Sequence, residues 1–521
     1  MKNIPWIRTL GTLQVLIALI ILTSCGTSQD ERRPNIIYIL ADDLGYGELG
    51  CYGQEKIETP HIDALAANGM LFTQYYSGSP VCAPSRCMLL TGQHSGHASI
   101  RSNDGMPERG DTRDFLKVFN HPELEGQRPM PAGTVTIAEV LQKAGYETGM
   151  VGKWGLGPPD SESIPNKMGF DFFFGYNCQG QAHTFFPLHL WKNTEKVLLR
   201  NDTVPPRTKL PEGADPYAEV SYSDYWLTDY APDLMQKEVV RFIKDNKEHP
   251  FFMYYATPIS HAPLQAPKRW VDYYVEKFGE EDPYLGDQGY FPARYPHAAY
   301  AAMVSYLDEQ VGEIVATLRE QGLYENTIIL FSSDNGPTYN GGTDSPWFDS
   351  GGPFKSERGW AKGYLKEGGI RVPMIAQWPG RIEAGTRSDH ISAHYDVFET
   401  LCDLAETEPE VETDGISFLP TLLGQEKQTH HEFLYWEFPS YGGQQALRMG
   451  SWKALREDIF EGNMAIRLYD LEKDIQESRD VADQHPDVVK QVEAIFRQEH
   501  RPAEIEKFRM VQLDHETRSV Q

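Results

Sequence analysis

The run Asn35-Ile36-Ile37-Tyr38-Ile39-Leu40-Ala41-Asp42-Asp43-Leu44-Gly45 decides how the chain is read. Asn35 to Leu40 is of strand length and almost wholly apolar, without the alternation of a half-exposed strand. Such a run predicts a strand buried on both faces, as in a parallel sheet covered by helices. It ends in Asp42 and Asp43. Two carboxylates at the end of a buried strand are costly unless they are paired or hold a cation. A core strand and a site at its end are therefore expected together.

The same pattern recurs downstream. Thr59-Pro60 is expected to open a helix, with Thr59 as N-cap, Pro60 in the first turn and Gly69 closing it. Leu71 to Tyr76 reads as extended. Thr136-Ile137-Ala138-Glu139 has the form of a capping box for a helix running to about Lys143. Strands are expected over Tyr146 to Val151, Phe251 to Ala256 and Thr327 to Phe331, and helices over Ala231 to Asn246 and Ala298 to Glu320. Polar residues stand at or just past these strand ends: Lys153, His261, Asp334 and Asn335. Ligands of open α/β sheets bind there. Ser102 to Gly133 and Asn177 to Asp224 show no clear periodicity and are candidate substrate loops.

Past about residue 425 the style changes. Phe433 to Phe438, Ala446 to Met449, Trp452 to Leu455 and Ile466 to Tyr469 predict a small antiparallel sheet. A helix from Pro486 to about Arg497 should pack on it. The expected fold class is α/β, a large mostly parallel sheet sandwiched by helices, with a smaller C-terminal α+β subdomain. The expected boundaries are 34–424 and 425–521.

The chain has 521 residues, 40% of them apolar, enough for a sizeable core. Its 48 Lys and Arg against 75 Asp and Glu give a net charge of −27. That argues against nucleic acid as a partner. It also repels an anionic substrate at long range, so an anion site must be a local island of positive charge. Lys2 and Arg8 precede an apolar stretch, Leu13 to Leu22, too short to span a bilayer comfortably. Leu22-Thr23-Ser24-Cys25 resembles a bacterial lipobox, in which Cys25 would become the lipidated first residue. The alternative is an ordinary secretory signal with an incidental Cys25. Both predict export, to the periplasm or cell surface, with residues 1–25 as signal segment and 26–33 as tether. Membrane association would run only through the lipid. An oxidising compartment permits disulfides among Cys51, Cys87, Cys178 and Cys402, in a pairing that sequence does not reveal.

Asp42, Asp43, Asp334 and Asn335 are oxygen donors that follow predicted strands. Oxygen-only sets suit calcium or magnesium. Taken singly, Asp42-Asp43 could cap a helix and Asp334-Asn335-Gly336 could be a turn. The remaining stretch of note is Cys82-Ala83-Pro84-Ser85-Arg86, which runs through Cys87-Met88-Leu89-Leu90 to Thr91-Gly92. Pro84 fixes φ after the cysteine, and a helix starting near Ser85 would aim its amides at an anion. The plainer alternative is a buried cysteine at a helix start.

Together these segments resemble the type I sulfatases of the alkaline phosphatase superfamily. The resemblance continues through Ala446-Leu447-Arg448-Met449-Gly450-Ser451-Trp452-Lys453 and Leu468-Tyr469-Asp470-Leu471. It implies that a formylglycine-generating enzyme converts Cys82 to Cα-formylglycine, whose hydrate attacks sulfur. It implies calcium on Asp42, Asp43, Asp334 and Asn335. Arg86 would neutralise the sulfate, together with Lys153 in Gly152-Lys153-Trp154. His261 in Ser260-His261-Ala262-Pro263, or Lys362 ahead of Glu367-Gly368-Gly369-Ile370-Arg371-Val372-Pro373, would protonate the leaving oxygen. Asp334 would take the hydroxyl proton, and the sulfated intermediate would collapse to aldehyde and sulfate. The resemblance thus implies an exported sulfatase of sulfated carbohydrate. The Asn177 to Trp191 region resembles sulfatases of galactose and N-acetylgalactosamine sulfates. A phosphoesterase of the same superfamily, or a catalytically dead sulfated-glycan-binding lipoprotein, is the alternative.

One departure stands out. The family commonly reads Gly-Lys-Trp-His-Leu-Gly, and this chain has Gly152-Lys153-Trp154-Gly155-Leu156-Gly157. His183, in Gln181-Ala182-His183-Thr184, is expected to reach the pocket as base or sugar ligand in place of that histidine. The alternative is a surface histidine.

Overall fold

Every residue of Asn35–Ala41 is buried. Ile37, Ile39 and Ala41 enter one hydrophobic core, and Ile36, Tyr38 and Leu40 enter another on the opposite face. The period of two that sends alternate side chains to opposite faces explains why the run had to be apolar throughout. The computed structural model describes residues 33–112, 114–204 and 208–518. The N-terminal apolar stretch, Cys25 and most of the tether lie outside the described residues. Among the described residues no helix is long and apolar enough to cross a membrane.

In chain order the strands are β1 (Asn35–Ala41), β2 (Met70–Phe72), β3 (Tyr75–Tyr76), β4 (Glu147–Lys153), β5 (Phe172–Tyr176), β6 (His189–Lys192), β7 (Glu195–Leu198) and β8 (Phe251–Ala256). They continue with β9 (Thr327–Ser333), β10 (Met374–Gln377), β11 (Thr386–Ser388), β12 (Ser392–Ala393), β13 (Leu434–Phe438), β14 (Gln444–Met449), β15 (Trp452–Arg456) and β16 (Arg467–Asp470). A ten-stranded sheet runs β11-β2-β10-β9-β1-β8-β4-β5-β6-β7. Its centre, β9-β1-β8-β4-β5, is all parallel. β10 joins antiparallel to both β9 and β2, and β6 and β7 add an antiparallel edge.

Helices Pro60–Ala67, Ala231–Asp245 and Pro296–Glu320 cover one face, while Cys82–Thr91, Ile137–Lys143 and Asp396–Leu404 cover the other. The capping box at Thr136 and Glu139 is formed. Thr59 precedes its helix without capping it. Its hydroxyl accepts from the Gly50 amide and donates to Asp63 instead, tying in the preceding loop.

β13 to β16 form the expected antiparallel sheet. One face packs on helix Pro486–Glu499 through Tyr435, Leu447, Leu468, Val492 and Phe496. The other brings Trp436, Ala446 and Leu455 against Tyr76, Val81, Ile370 and Tyr395. Pro34–Gln521 thereby forms one compact unit. Beneath that contact lies Glu367, buried, which accepts from Lys453 Nζ at 2.8 Å, Tyr76 Oη at 2.9 Å and Arg371 at 3.1 Å. Burial alone would raise its pKa, but Lys453, Arg371 and Arg448 outweigh burial and hold it down at about 2. The glutamate of the Glu-Gly-Gly run is thus a fastener between the two sheets. Lys453→Met should cost about 3–5 kcal/mol, because it strands a buried carboxylate. Differential scanning calorimetry would show this as a lowered Tm, and an unchanged Tm would remove the pair from the account of stability.

Cys51, Cys82, Cys87, Cys178 and Cys402 are all unpaired thiols.

Candidate active site

Four elements converge at the carboxyl ends of the central strands. Asp42 and Asp43 follow β1. Asp43 has φ 63°, a left-handed turn that aspartate tolerates better than most residues. Asp334 and Asn335 follow β9, and the Asp334 amide donates to the Ala41 carbonyl at 3.0 Å, holding the two strand ends together. Lys153 ends β4. His261 lies in the loop after β8, which is bonded to Asp42 through Ile259 and Ser260.

Cys82 opens the helix Cys82–Thr91, three residues earlier than the sequence suggested. Pro84 is accommodated because first-turn amides need no intrahelical acceptor. Cys82 is buried, with Sγ 3.3 Å from Asp42 Oδ1 and 3.9 Å from Asp43 Oδ1. The ligand atoms of Asp42, Asp43, Cys82 and His261 all lie within 4.8 Å of one another. Burial and the neighbouring Asp42 push the Cys82 thiol well up, so unmodified it is no activated nucleophile.

Three cations answer three carboxylates. Arg86 forks onto Asp334 Oδ2 through Nε at 3.1 Å and NH2 at 2.8 Å, and its NH2 stands 3.5 Å from Asp42. Lys153 Nζ lies 2.6 Å from Asp42 Oδ2, and Lys362 Nζ lies 2.6 Å from Asp43 Oδ2. The Lys362 amide donates to the Pro337 carbonyl at 3.1 Å, which fixes its loop beside the Asp334-Asn335 turn. Burial would raise Asp42, but Lys153, Arg86 and Lys362 pull it far down and keep it ionised. Asp334 goes the other way: burial and Asp42 push it up to about 7 despite Arg86. Burial, Lys362 and Lys153 hold His261 well below the usual imidazole range. Its Nδ1 donates to the Ala262 carbonyl at 2.6 Å, which leaves Nε2, 3.6 Å from Asp43 Oδ2, as a lone pair.

Asp43 is bonded to both residues of the Asp334-Asn335 pair, while the ligand-atom cluster that includes Asp42 takes in Cys82 and His261 and leaves out Asp334. The Asp43 amide donates to Asp334 Oδ1 at 3.1 Å, and Asn335 Nδ2 donates to Asp43 Oδ1 at 2.8 Å. Asn335 Oδ1 is buried without a hydrogen-bond partner. An oxygen-only donor set with one orphaned carbonyl fits a hard cation.

The His183 ring stacks on that of His261 at 5.5 Å and 7°, and Tyr290 packs edge-on to both. The space beside Gly155 belongs to Gln179, whose Cγ would lie 2.8 Å from a Cβ placed there. Gln179, Tyr290 and Asn103, which accepts from the Ala83 amide at 3.0 Å, come from loops and were not singled out by sequence. Ser85 Oγ bonds the buried His394 at 3.0 Å behind the helix.

A buried cysteine at a helix N-terminus, flanked by a guanidinium and two ammonium groups, suits a site for an anionic ester. The chain belongs to the sulfatase family, the sulfuric ester hydrolases: the model described as Sulfatase matches residues 34–407. A second, N-sulphoglucosamine sulphohydrolase, C-terminal, matches residues 356–501. The chain is similar to N-acetylgalactosamine-6-sulfatase of Homo sapiens, 32% identical over 76% of this chain and 67% of that protein. It is 29% identical to the N-acetylgalactosamine-6-O-sulfatase of Bacteroides thetaiotaomicron, over 95% and 99% of the two chains. The solved structure of Ps i-CgsB in complex with k-i-k-neocarrahexaose superposes with a TM-score of 0.69 at 26% identity, covering 93% of this chain and 98% of that one.

Proposed function

We propose that this chain is an exported carbohydrate sulfatase that removes sulfate from galactose or N-acetylgalactosamine units. The observation that carries the reading is the placement of Cys82 Sγ 3.3 Å from Asp42, at a helix N-terminus, with Arg86, Lys153 and Lys362 fixed around it. The named relatives, two of them N-acetylgalactosamine sulfatases, support the substrate class. The lipobox-like Leu22-Thr23-Ser24-Cys25 supports export and anchoring at Cys25.

Cys82, matured by a formylglycine-generating enzyme, would supply a hydroxyl nucleophile. Calcium held by Asp42, Asp43, Asp334 and Asn335 would supply fixed positive charge beside the sulfate. Arg86 is locked by Asp334 and by the Lys153 carbonyl, so it needs no reorganisation when charge develops. Asp334 would accept the nucleophile's proton. Lys362 delivers a proton to the departing sugar oxygen. His261, neutral, offers an acceptor that orients the substrate.

The test is sulfate release, measured by ion chromatography, from N-acetylgalactosamine and galactose sulfates by enzyme co-expressed with a maturation enzyme. Release from neither, alongside hydrolysis of matched phosphate esters, would favour a phosphoesterase. Binding without release of any anion would favour a dead glycan-binding protein. His183 stacks on His261, not on Cys82, which supports its reading as a sugar ligand. His183→Ala should therefore raise KM about tenfold with little change in kcat. A fall in kcat at constant KM would assign it the base role instead.

A further inference from the structure

Gly155 adopts φ +78°, and a side chain there would collide with Gln179, 2.8 Å from Cγ and 3.2 Å from Nε2. Gln179 therefore owns the volume next to Gly155. The backbone fixes it there. The amides of Trp154 and Gly155 donate to the carbonyls of Tyr176 and Asn177 at 2.9 and 3.0 Å. These bonds lace the end of β4, which carries Lys153, to the turn Gln179–His183. The same turn ends in His183, whose ring stacks on that of His261.

The polar atoms of this segment are incompletely used. Gln179 is 8% exposed, and its Nε2 has no hydrogen-bond partner. Its main-chain amide donates to Gln127 Oε1 at 3.0 Å, which fixes the Gln127 carboxamide with the oxygen engaged. Gln127 is 1% exposed, and its Nε2 too is without a partner. Two buried NH2 groups with no acceptor are an unfavourable arrangement. Gly155, against which Gln179 packs, follows closely on Lys153, whose ammonium is already committed to Asp42. What the two NH2 groups lack is an acceptor, and a sulfate ester offers acceptor oxygens only.

We infer that Gln179 and Gln127 form a neutral amide subsite that donates hydrogen bonds to the sulfate oxygens beside Lys153. The inference rests on the sulfatase reading and names which of this chain's own residues receive the anion. Neutral donors are apt here, since a further cation would compete for the three carboxylates. Gln179 cannot take a proton, so the position beside Gly155 holds the anion and does no acid–base work.

The experiment compares matured wild type with Gln179→Glu, Gln179→Ala and Gln179→Asn on N-acetylgalactosamine 6-sulfate and on 4-nitrophenyl sulfate, which has no sugar. Gln179→Glu, isosteric but anionic and acceptor-only, should lower kcat/KM on both esters by about tenfold or more. Gln179→Ala should lose less. Gln179→Asn, which keeps the amide, should recover part of the loss, which separates a binding role from misfolding. A loss confined to the sugar ester moves the contact to a sugar hydroxyl and overturns the sulfate assignment. Wild-type kcat/KM for the alanine and glutamate variants on both esters overturns the subsite. Calorimetric titration of the same proteins with inorganic sulfate needs no turnover. If the wild type hydrolyses neither ester but binds sulfate, and Gln179→Glu abolishes that binding, the enzymatic reading fails and the subsite stands. Equal sulfate affinity in both proteins removes it.

Discussion

Cys82→Ala is expected to abolish sulfate release while leaving Tm close to that of the wild type. The side chain is buried at the first position of a helix, where alanine is at least as good a helix former. Cys82 lies outside the left-handed region and in no disulfide, so no backbone constraint is released. What goes is the one atom that approaches both Asp42 and Asp43 from the helix side. Loss of a nucleophile in a site whose cations remain in place should lower kcat by about 10⁴-fold or more. Ion chromatography of released sulfate and scanning calorimetry of the same samples would check both halves. Substantial turnover by Cys82→Ala would place the nucleophile elsewhere. Cys82→Ser separates the mechanisms further. A serine left unoxidised, as peptide mass would verify, carries no aldehyde hydrate, so it too should be inactive on sulfate esters. Full activity in the serine variant would mean that a plain hydroxyl suffices, as in a phosphoesterase.

The segments legible in the sequence are those whose residues answer to one dominant force. β1, β8 and β9 are buried on both faces, so apolar runs mark them without ambiguity. β13 to β16 are bounded by turns, and the helix Pro486–Glu499 has a one-sided apolar stripe. The Asp-Asp and Asp-Asn pairs were legible for the opposite reason, being charge where apolar residues were due. The hairpin β6–β7 was missed because each strand has four residues and β7 is only half-buried. Helix Lys268–Phe278 buries little beyond Tyr274 and leans on helix Pro296–Glu320, a tertiary contact with no local signature. The helix start at Cys82, read as near Ser85, depended on Val81 closing the first turn with the Ser85 amide at 3.3 Å, which Pro84 obscured. Gln179 was invisible for a deeper reason. Its meaning lies in the side chain that Gly155 lacks, and only the pairing of β4 with β5 brings the two together.

Removal of divalent cation should silence the matured enzyme, and calcium should restore it better than magnesium. Asp42 and Asp43 cluster with Cys82 and His261, and Asp334, bonded to the Asp43 amide, is as fully buried as they are. Lys153 and Lys362 rest on Asp42 and Asp43 at 2.6 Å each, the positions a cation would contest. Four oxygen donors from two strand ends suit the flexible six- to eight-oxygen shell of calcium better than the strict octahedron of magnesium, which keeps most of its waters. The readout should not rest on activity alone. A cation that binds only the folded chain adds RT ln(1 + [L]/Kd), about 2.7 kcal/mol at a hundredfold excess over Kd. Dialysis against a chelator should therefore lower Tm, and calcium titration should raise it in a saturable way. Asp43→Asn keeps the shape of the side chain while removing its charge. It should lose most of that calcium-dependent rise together with turnover, and the Tm of its cation-free form should fall as well, because Lys362 loses its carboxylate partner. A calcium response of wild-type size in Asp43→Asn would mean that the cation binds elsewhere. The cluster would then be a set of ion pairs holding the strand ends, with Arg86 and the lysines as its only positive charge.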